Sequence, residues 1–412
     1  MSPFWVVLLL TLLLGIQPVT TDLYLPTLPT IGRELGASVA SVQLTLSALI
    51  IAFGFGQLAC GPLSDRFGRK PVLVIGLALY TAASVASLAA SSIEWLILWR
   101  ALQGVAMAAA VTCGRSIVRD LYEPQDGARV LSRALTGLGV IAMASPFIGG
   151  ALAQWVSWRA PFAAISLFGV LALGAVLLRF QETVPRRNPD ATRLAPMLRN
   201  ARDIAGNATF RAWTLLLMNT YGGLFLMLAA SSFVYIDVLG LTKLGYSFFI
   251  ATNSTAYVAG TFLCRRLLLR GGLRQAVWFG GFLSAGGGLG ILALALAGVQ
   301  SPWAIALPHL LYALGHGIHQ PCGQAGAVGP FPDKAGTAAA LSGFLMMVVA
   351  FAVGLWIGHA LDGTVMPLAL GMAFFGCAVA LTAFTLVQRH GEPPRAAPAR
   401  PLAAADAPGA AG

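Results

Sequence analysis

Two charged residues interrupt stretches of the sequence that are otherwise almost wholly apolar: Asp22, in the run that begins at Phe4, and Arg100, in the run 95–114. A charge in the hydrocarbon core of a bilayer costs at least ~2.5–3.5 kcal/mol, so such residues normally face a partner or a water-filled cavity and serve ion or proton movement. Asp22 is the only acidic residue that we place inside an apolar span. Its carboxylate is therefore the candidate proton acceptor.

Each of these two residues also has a simpler interpretation. Arg100 could extend to the bilayer surface, because Glu94 and Trp95 mark a nearby helix end. Asp22 lies ~27 Å along a helix that starts at Phe4, so it could belong to an exposed loop at the far interface. Against the loop, the polar residues and two prolines between positions 17 and 26 indicate that this half of the span lines a cavity rather than lipid. We expect Asp22 and Arg100 to build one cavity.

Other polar residues inside apolar runs are candidates for the same cavity. They are Gln17, Tyr24, Asn219, Tyr221, Asn253, Tyr257, His316 and His319. His316 and His319 share one broad helix face with His309, which suits either a proton relay or metal ligands. The span that holds them contains no acidic companion, so cavity lining or hydrogen bonding between helices is the favoured interpretation. We expect no metal and no cofactor.

The composition excludes most soluble classes of protein. Hydrophobic residues make up 57% of the 412 residues and charged residues only 10%, where a soluble protein carries about 25% charged residues. The net charge of +11 comes from short basic clusters between apolar runs, which is unlike the basic face of a nucleic-acid-binding protein. The five cysteines have no paired spacing, which argues against disulfides and zinc. No phosphate-binding loop of the G-x-x-x-x-G-K-[ST] type occurs, so ATP hydrolysis is not expected.

Twelve membrane spans of about 20 residues account for the apolar runs. We place them at 4–28, 37–60, 71–93, 95–114, 134–156, 160–178, 212–236, 244–264, 275–297, 302–325, 336–358 and 364–387. With the N-terminus in the cytoplasm, 22 of the 26 Lys and Arg residues fall on the cytoplasmic side, and only Arg33, Arg159 and Lys243 fall outside. This asymmetry supports an even number of spans with both termini cytoplasmic. The first run has no basic segment before it, so we expect a retained span rather than a cleaved signal peptide.

The charged segment after the sixth span divides the chain into two equal halves. We predict an all-α membrane protein with a first six-helix bundle at 1–180, a cytoplasmic linker at 181–209 and a second six-helix bundle at 210–388. Residues 389–412 are rich in Pro and Ala and have nothing to bury, so this tail is predicted to be disordered. Two halves of equal span number are typical of secondary transporters.

The segment between the second and third spans reads GPLSDRFGRK over residues 61–70. Its order, G-x-L-x-D-R-x-G-R-K, resembles the signature of the major facilitator superfamily. Glycines allow a tight turn, a carboxylate can face a helix N-terminus, and the arginines can pair with an acid elsewhere. The candidate conformational latch comprises Gly61, Asp65, Arg66, Gly68, Arg69 and, at the family's partner position, Asp120.

Three further motifs strengthen this resemblance. The order R-x-x-Q-G at Arg100 and Gln103 is similar to the span-four motif of proton-coupled members, in which the arginine influences a proton-binding carboxylate. The string TDLYLPTLP after Thr20 resembles the first span of the bicyclomycin-resistance (Bcr/CflA-type) exporters and of their phenicol-exporting relatives. Span five carries Pro146, Gly149 and Gly150, which match the antiporter motif G-P-x-x-G-G except that Ser145 replaces its first glycine.

The resemblance implies two bundles rocking around a central site, with export of drugs or similar small amphipathic molecules in exchange for protons. Asp22, Arg100 and Gln103 would be the proton and substrate-coupling residues. The implied setting is the bacterial inner membrane, with a monomeric chain that contacts lipid, protons and substrate but no nucleic acid. The main alternative is a proton-coupled uptake symporter, because it would share the first two motifs. A channel would not need the latch, and a membrane enzyme would need a catalytic set that the sequence does not contain.

Overall fold

The computed structural model describes residues 3–184 and 187–392, and these residues form helices joined by short turns. The first half contains α1 (Pro3–Asp22), α2 (Leu28–Glu34), α3 (Val39–Phe67), α4 (Arg69–Leu88), α5 (Ile93–Leu121), α6 (Pro124–Trp155) and α7 (Ala160–Arg179). The connecting α8 (Leu194–Gly206) leads to α9 (Ala208–Ser232), α10 (Lys243–Leu296), α11 (Pro302–Val328), α12 (Ala335–Ala360), α13 (Met366–Phe384) and α14 (Leu386–His390).

Ten helices in this part of the chain are long and apolar enough to cross a membrane. One of them, α10, has 54 residues and would be ~80 Å long if straight, far more than one crossing needs. Gly272 breaks it with a backbone φ of 71°, a conformation that glycine adopts without steric cost. The parts 243–271 and 273–296, called α10a and α10b below, are two spans. With α11, whose three histidines lower its hydropathy, the total is the predicted twelve.

The first predicted span differs from the structure at its far end. Instead of one helix over 4–28, α1 ends at Asp22 and a 3₁₀ turn over Leu25–Thr27 leads into α2. The interruption has a local cause, because Pro26 and Pro29 occupy the first turns of the two short helices, and proline cannot donate a backbone hydrogen bond to a preceding turn. The break places Asp22 at a helix end.

The linker and the tail also differ from the prediction. Helix α8 occupies 13 residues of the predicted linker. Helix α9 begins at Ala208, two residues before the predicted start of the second bundle. The predicted disordered tail starts within α14, which includes Arg389 and His390. Residues 393–412 lie outside the described part of the chain.

Each half of the chain packs mainly within itself. In the first half α3 and α4 pack on α5, α4 packs on α7, and α1 packs on α6; in the second half α10 packs on α11 and α13, and α9 packs on α11 and α12. The two halves meet where α3 packs on α12 and where α6 packs on α10. Because successive spans alternate in direction, one end of the molecule carries Arg33 and the other carries Asp65; we call these the Arg33 end and the Asp65 end.

Candidate functional site

Arg100 lies inside the first bundle, with its side chain fully buried at 0% exposure. Its guanidinium donates hydrogen bonds to Oε1 of Gln103 at 2.5 Å and to the carbonyl of Thr20 at 3.2 Å. It also lies 4.3 Å from the ring centroid of Tyr24, within the range of a cation–π interaction. Its Nε has no partner among the described residues. This burial excludes the interpretation in which Arg100 extends to the bilayer surface.

A hydrogen-bonded network continues from Arg100 through the first bundle. Gln103 Nε2 donates to Ser84 Oγ at 2.6 Å, and the hydroxyls of Thr20 and Tyr80 lie 2.6 Å apart. Tyr24 shares a hydrogen bond with Thr45 and is fully buried, so it belongs to this network rather than to a cavity wall. The network ties α1 to α3, α4 and α5, which fixes the end of α1 relative to the arginine.

Asp22 is half-buried at the last turn of α1. Its Oδ1 accepts a hydrogen bond from Thr21 Oγ1 at 2.7 Å. Within the described residues no cation lies within 4.0 Å of its carboxylate, so the structure contains no ion pair between Asp22 and Arg100. Arg100 reaches this turn of α1 through the carbonyl of Thr20.

The predicted span-five motif packs against both bundles. A Cβ added to Gly149 would lie 2.3 Å from the carbonyl oxygen of Leu23, and a Cβ added to Gly150 would lie 2.1 Å from Oγ of Ser247. Any residue larger than glycine would therefore push α6 away from the turn that follows Asp22 or from α10. Pro146 is buried in α6 one turn earlier. Gly149 and Gly150 therefore lie where α6 packs closely on its neighbours.

The predicted cluster at the Asp65 end is assembled around Arg69, which is 5% exposed. Its guanidinium meets Asp65 Oδ1 at 2.5 Å and Asp120 Oδ2 at 3.0 Å. Ser64 accepts a further hydrogen bond at 2.6 Å. Three consecutive spans of the first bundle, α3, α4 and α5, are joined in this way. The cluster lies within one bundle and has no ion pair to the second bundle among the described residues.

Two predicted members of the latch, Arg66 and Gly61, do not take part in the cluster around Arg69. Arg66 is exposed and donates to Thr192 Oγ1 at 2.5 Å, so it binds the linker and not an acid. A Cβ at Gly61 would have only the methyl group of Thr112 at 3.8 Å nearby, which is an ordinary contact. The structure therefore gives no steric reason for a glycine at position 61.

Sequence reasoning missed Glu182, which follows α7. Its carboxylate accepts the backbone N–H groups of Arg69 at 2.9 Å and Lys70 at 3.1 Å, the first two residues of α4. The helix has no other side-chain cap, since its N-cap residue is Gly68. Gly68 has a φ of 106°, and a Cβ there would lie 2.3 Å from Glu182 Oε2. The signal in the sequence was this uncapped glycine turn, because an acid is the natural partner of a helix N-terminus.

The linker is bound to the same cluster at three more points. Thr183 Oγ1 donates to Asp120 Oδ2 at 3.2 Å, and Asn188 N donates to the carbonyl of Asp65 at 3.0 Å. The third point is the hydrogen bond from Arg66 to Thr192 described above. The chain that joins the two bundles is therefore fastened to the predicted motif.

Some polar residues of the second bundle form hydrogen bonds between helices, and others have no partner among the described residues. Asn219 donates to Thr382 at 3.0 Å, and His319 Nε2 pairs with the carbonyl of Val277 at 3.2 Å. These two predicted cavity residues join helices. His309 is fully buried, and neither of its ring nitrogens has a partner in the described residues.

Among the described residues His316 has a hydrogen-bond partner at one ring nitrogen, as His319 does. Nδ1 of His316 lies 3.1 Å from Thr220 Oγ1, and its ring centroid is 5.4 Å from that of Tyr257. Tyr221, Asn253 and Tyr257 are half-buried, and their side chains form no hydrogen bonds within the described residues. Gln17 is also half-buried, and its backbone carbonyl accepts a hydrogen bond from Thr21.

Three polar contacts join the bundles at the Arg33 end. Arg33 pairs with Asp237 at 3.0 Å, and Lys243 Nζ donates to the carbonyl of Ala153 at 2.9 Å. Leu244 N donates to Gln154 Oε1 at 3.2 Å. Each of these links joins one bundle to the other at this end of the molecule.

Comparisons with known proteins agree with this architecture. The profile of the family described as Major Facilitator Superfamily matches residues 10–355. The chain is 28% identical over 341 residues to multidrug resistance protein D of Escherichia coli (83% of this chain, 85% of that one). It is 29% identical over 322 residues to a chloramphenicol resistance protein of Pseudomonas aeruginosa (78% and 75%). The crystal structure of a D-xylose-proton symporter superposes with a TM-score of 0.76 at 15% identity (94% and 97%), which bears on the fold alone.

Proposed function

Because the chain belongs to the major facilitator superfamily, we propose that it exports drugs or similar small amphipathic molecules in exchange for protons. The names of its relatives, a multidrug resistance protein and a chloramphenicol resistance protein, support the drug class and the outward direction. The observation that carries proton coupling is Asp22, a half-buried carboxylate at the end of α1 that pairs with no cation of the described residues. Such a group can exist in either protonation state without breaking an ion pair.

Proton exchange at Asp22 would drive the transport cycle. When protonated, Asp22 loses its charge, and the first bundle can close around it at low cost; when deprotonated, it favours a substrate with complementary polarity. Arg100 donates a hydrogen bond to the carbonyl of Thr20, two residues before Asp22, and in this proposal its positive charge would favour the deprotonated carboxylate. One proton that crosses 100 mV supplies ~2.3 kcal/mol, enough for roughly fiftyfold accumulation.

We place this monomeric transporter in the bacterial inner membrane with both termini in the cytoplasm. The distribution of Lys and Arg supports that orientation, which makes the Arg33 end periplasmic and the Asp65 end cytoplasmic. The contacts of Arg33 and Lys243 with the opposite bundle then belong to a state closed toward the periplasm. The Asp65 cluster would regulate the cycle from the cytoplasmic side.

Replacing Asp22 tests the proposal directly. Asp22→Asn should abolish uphill export driven by a pH gradient in proteoliposomes, because it removes the proton-accepting group and preserves the size of the side chain. Asp190→Asn is the matched control, since Asp190 is an exposed carboxylate of the linker paired with Arg193. Retained, uncoupler-sensitive uphill transport by Asp22→Asn would contradict the proton assignment. Proton influx accompanying substrate export supports antiport, whereas proton and substrate entering together would indicate the uptake symporter.

A further inference from the structure

Four uncharged polar side chains form a small surface on two helices of the second bundle. Asn253 and Tyr257 are four residues apart on α10a, and His316 and Gln320 are four residues apart on α11, so each pair lies on one helix face. The rings of Tyr257 and His316 join the two pairs, with 5.4 Å between their centroids. We call these four residues the Asn253 patch. Tyr257 and His316 each lie ~21 Å from the start of their helix, close to the middle of a span.

Glycines bring the two helices together at this level. A Cβ added to Gly317 would lie 2.3 Å from the carbonyl oxygen of Tyr257, and a Cβ added to Gly260 would lie 2.3 Å from that of Leu314. Small residues at such a crossing are what allow membrane helices to approach closely. The proximity of Tyr257 and His316 is therefore a consequence of the backbone packing.

The Asn253 patch faces away from lipid. The exposed residues of α10a include Val258 and Phe262, at 37% and 58%, and those of α11 include Leu307 and Leu311, at 56% and 41%. At 100° per residue these apolar side chains lie on the faces opposite to the patch. The patch is therefore directed toward the interior of the protein, where polar groups need partners.

The hydrogen-bonding capacity of the patch is largely unused. Oδ1 of Asn253 and Oε1 of Gln320 are enclosed and have no partner among the described residues. Among the described residues His316 has a hydrogen-bond partner only at Nδ1, which is Thr220. Native proteins leave few buried polar groups unpaired, so these groups are open to hydrogen bonds from a bound molecule or from ordered water.

We infer that the Asn253 patch binds the uncharged hydrogen-bonding part of the exported molecule, such as an amide or hydroxyl group beside an aromatic ring. This inference rests on the proposed function and assigns a substrate class to its site. Amide side chains both donate and accept hydrogen bonds, His316 adds one more such group, and the Tyr257 ring offers a stacking surface. The patch carries no carboxylate, so a cationic group would go to Asp22 instead.

Equilibrium binding of two chemically different probes to the purified chain in lipid nanodiscs tests this assignment. Chloramphenicol is neutral, with an amide, two hydroxyls and an aromatic ring; tetraphenylphosphonium is a cation without hydrogen-bonding groups. His316→Phe and Gln320→Leu should each weaken chloramphenicol binding at least tenfold and change tetraphenylphosphonium binding less than twofold. Asp22→Asn should have the reverse pattern.

The exposed His359 of α12 provides the matched control, because His359→Phe makes the same chemical change away from the patch. Retained tetraphenylphosphonium binding shows that the patch variants are folded. The inference is overturned if the wild-type chain binds only the cation, if both patch variants leave chloramphenicol binding unchanged, or if they weaken both probes equally. If the patch variants weaken chloramphenicol binding selectively but transport is accompanied by no proton exchange, the proposed antiport is contradicted and the patch is supported. The two failures are therefore distinguishable.

Discussion

Removing the carboxylate of Glu182 should loosen the attachment of the linker to the first turn of α4. The side chain accepts two backbone N–H groups at the start of that helix, from Arg69 and Lys70. The first N–H groups of any α-helix have no hydrogen-bond partner within that helix. In Glu182→Ala the N–H groups of Arg69 and Lys70 face water, and the chain after α7 loses the two hydrogen bonds that Glu182 accepts from them.

The size of the effect follows from the capping geometry. Loss of an N-cap side chain costs about 0.5–2 kcal/mol. Because Glu182 is exposed and solvent screens its charge, we expect its loss to cost about 1 kcal/mol. That corresponds to roughly a fivefold rise in the population of the state in which the first turn of α4 is frayed. Hydrogen–deuterium exchange of the Arg69 and Lys70 amides in nanodiscs should accelerate by the same factor. Asp203→Ala, which removes an exposed linker carboxylate 3.5 Å from Lys334, is the control and should leave these amides unchanged.

The charge of Glu182 sets the pH range of this cap. Partial burial alone would raise its pKa, but backbone N–H groups of Arg69, Val184, Lys70 and Thr183 hold the pKa below its ordinary value of 4.5. A depressed pKa means that the cap contributes fully above pH ~4.5 and is lost as the pH falls through the lowered value. Protection of the two amides should therefore be constant between pH 5 and 8 once intrinsic exchange is corrected for. Unchanged exchange in Glu182→Ala, or protection that varies across this range, would refute the capping role.

Three further outcomes are expected. Arg100→Ala should reduce uphill transport in proteoliposomes at least tenfold and Arg100→Lys less, because a buried positive charge is the proposed role; equal activities would contradict it. Arg33→Asp should raise cysteine labelling at the Arg33 end up to about fivefold, because an exposed ion pair contributes about 0–1 kcal/mol. Adding Asp237→Arg restores opposite charges and should reverse the rise. Labelling that stays high in the double variant would argue against the ion pair. Asp65→Asn should slow transport and leave probe binding within twofold, since Asp65 lies at the end of the molecule remote from Asp22; severely weakened binding would count against a conformational role.

Hydropathy predicted the spans because a membrane helix depends on local order along the chain. Apolar length determines a membrane helix almost without regard to its neighbours, so twelve spans were countable before the structure was known. The family resemblance is confirmed by the profile match over residues 10–355. Likewise, Asp65 and Arg69 are four residues apart and meet on one helical corner, and the resemblance supplied Asp120.

The sequence could not reveal contacts that depend on how remote segments pack. Glu182 follows Arg69 by 113 residues and looked like one charge among many in a mixed linker. Asp22 and Arg100 were expected to build one cavity, but the network through Thr20 places the arginine inside the first bundle and leaves Asp22 outside an ion pair. The partners of two α11 histidines, Thr220 for His316 and Val277 for His319, are likewise remote from them in sequence.

The two bundles differ in chemistry in a way that bears on coupling. The first supplies the charged groups Asp22 and Arg100, and the second supplies the uncharged Asn253 patch. A neutral substrate held at the patch would not need to displace the proton of Asp22 by direct competition, so coupling must then pass through the packing between the bundles. The adjacent glycines of α6 offer such a route, because Gly149 contacts the turn after Asp22 and Gly150 contacts α10, the helix that carries Asn253. A change in the turn on protonation would thus reach the substrate through helix packing, and cationic and neutral molecules could share one cycle without sharing one binding residue.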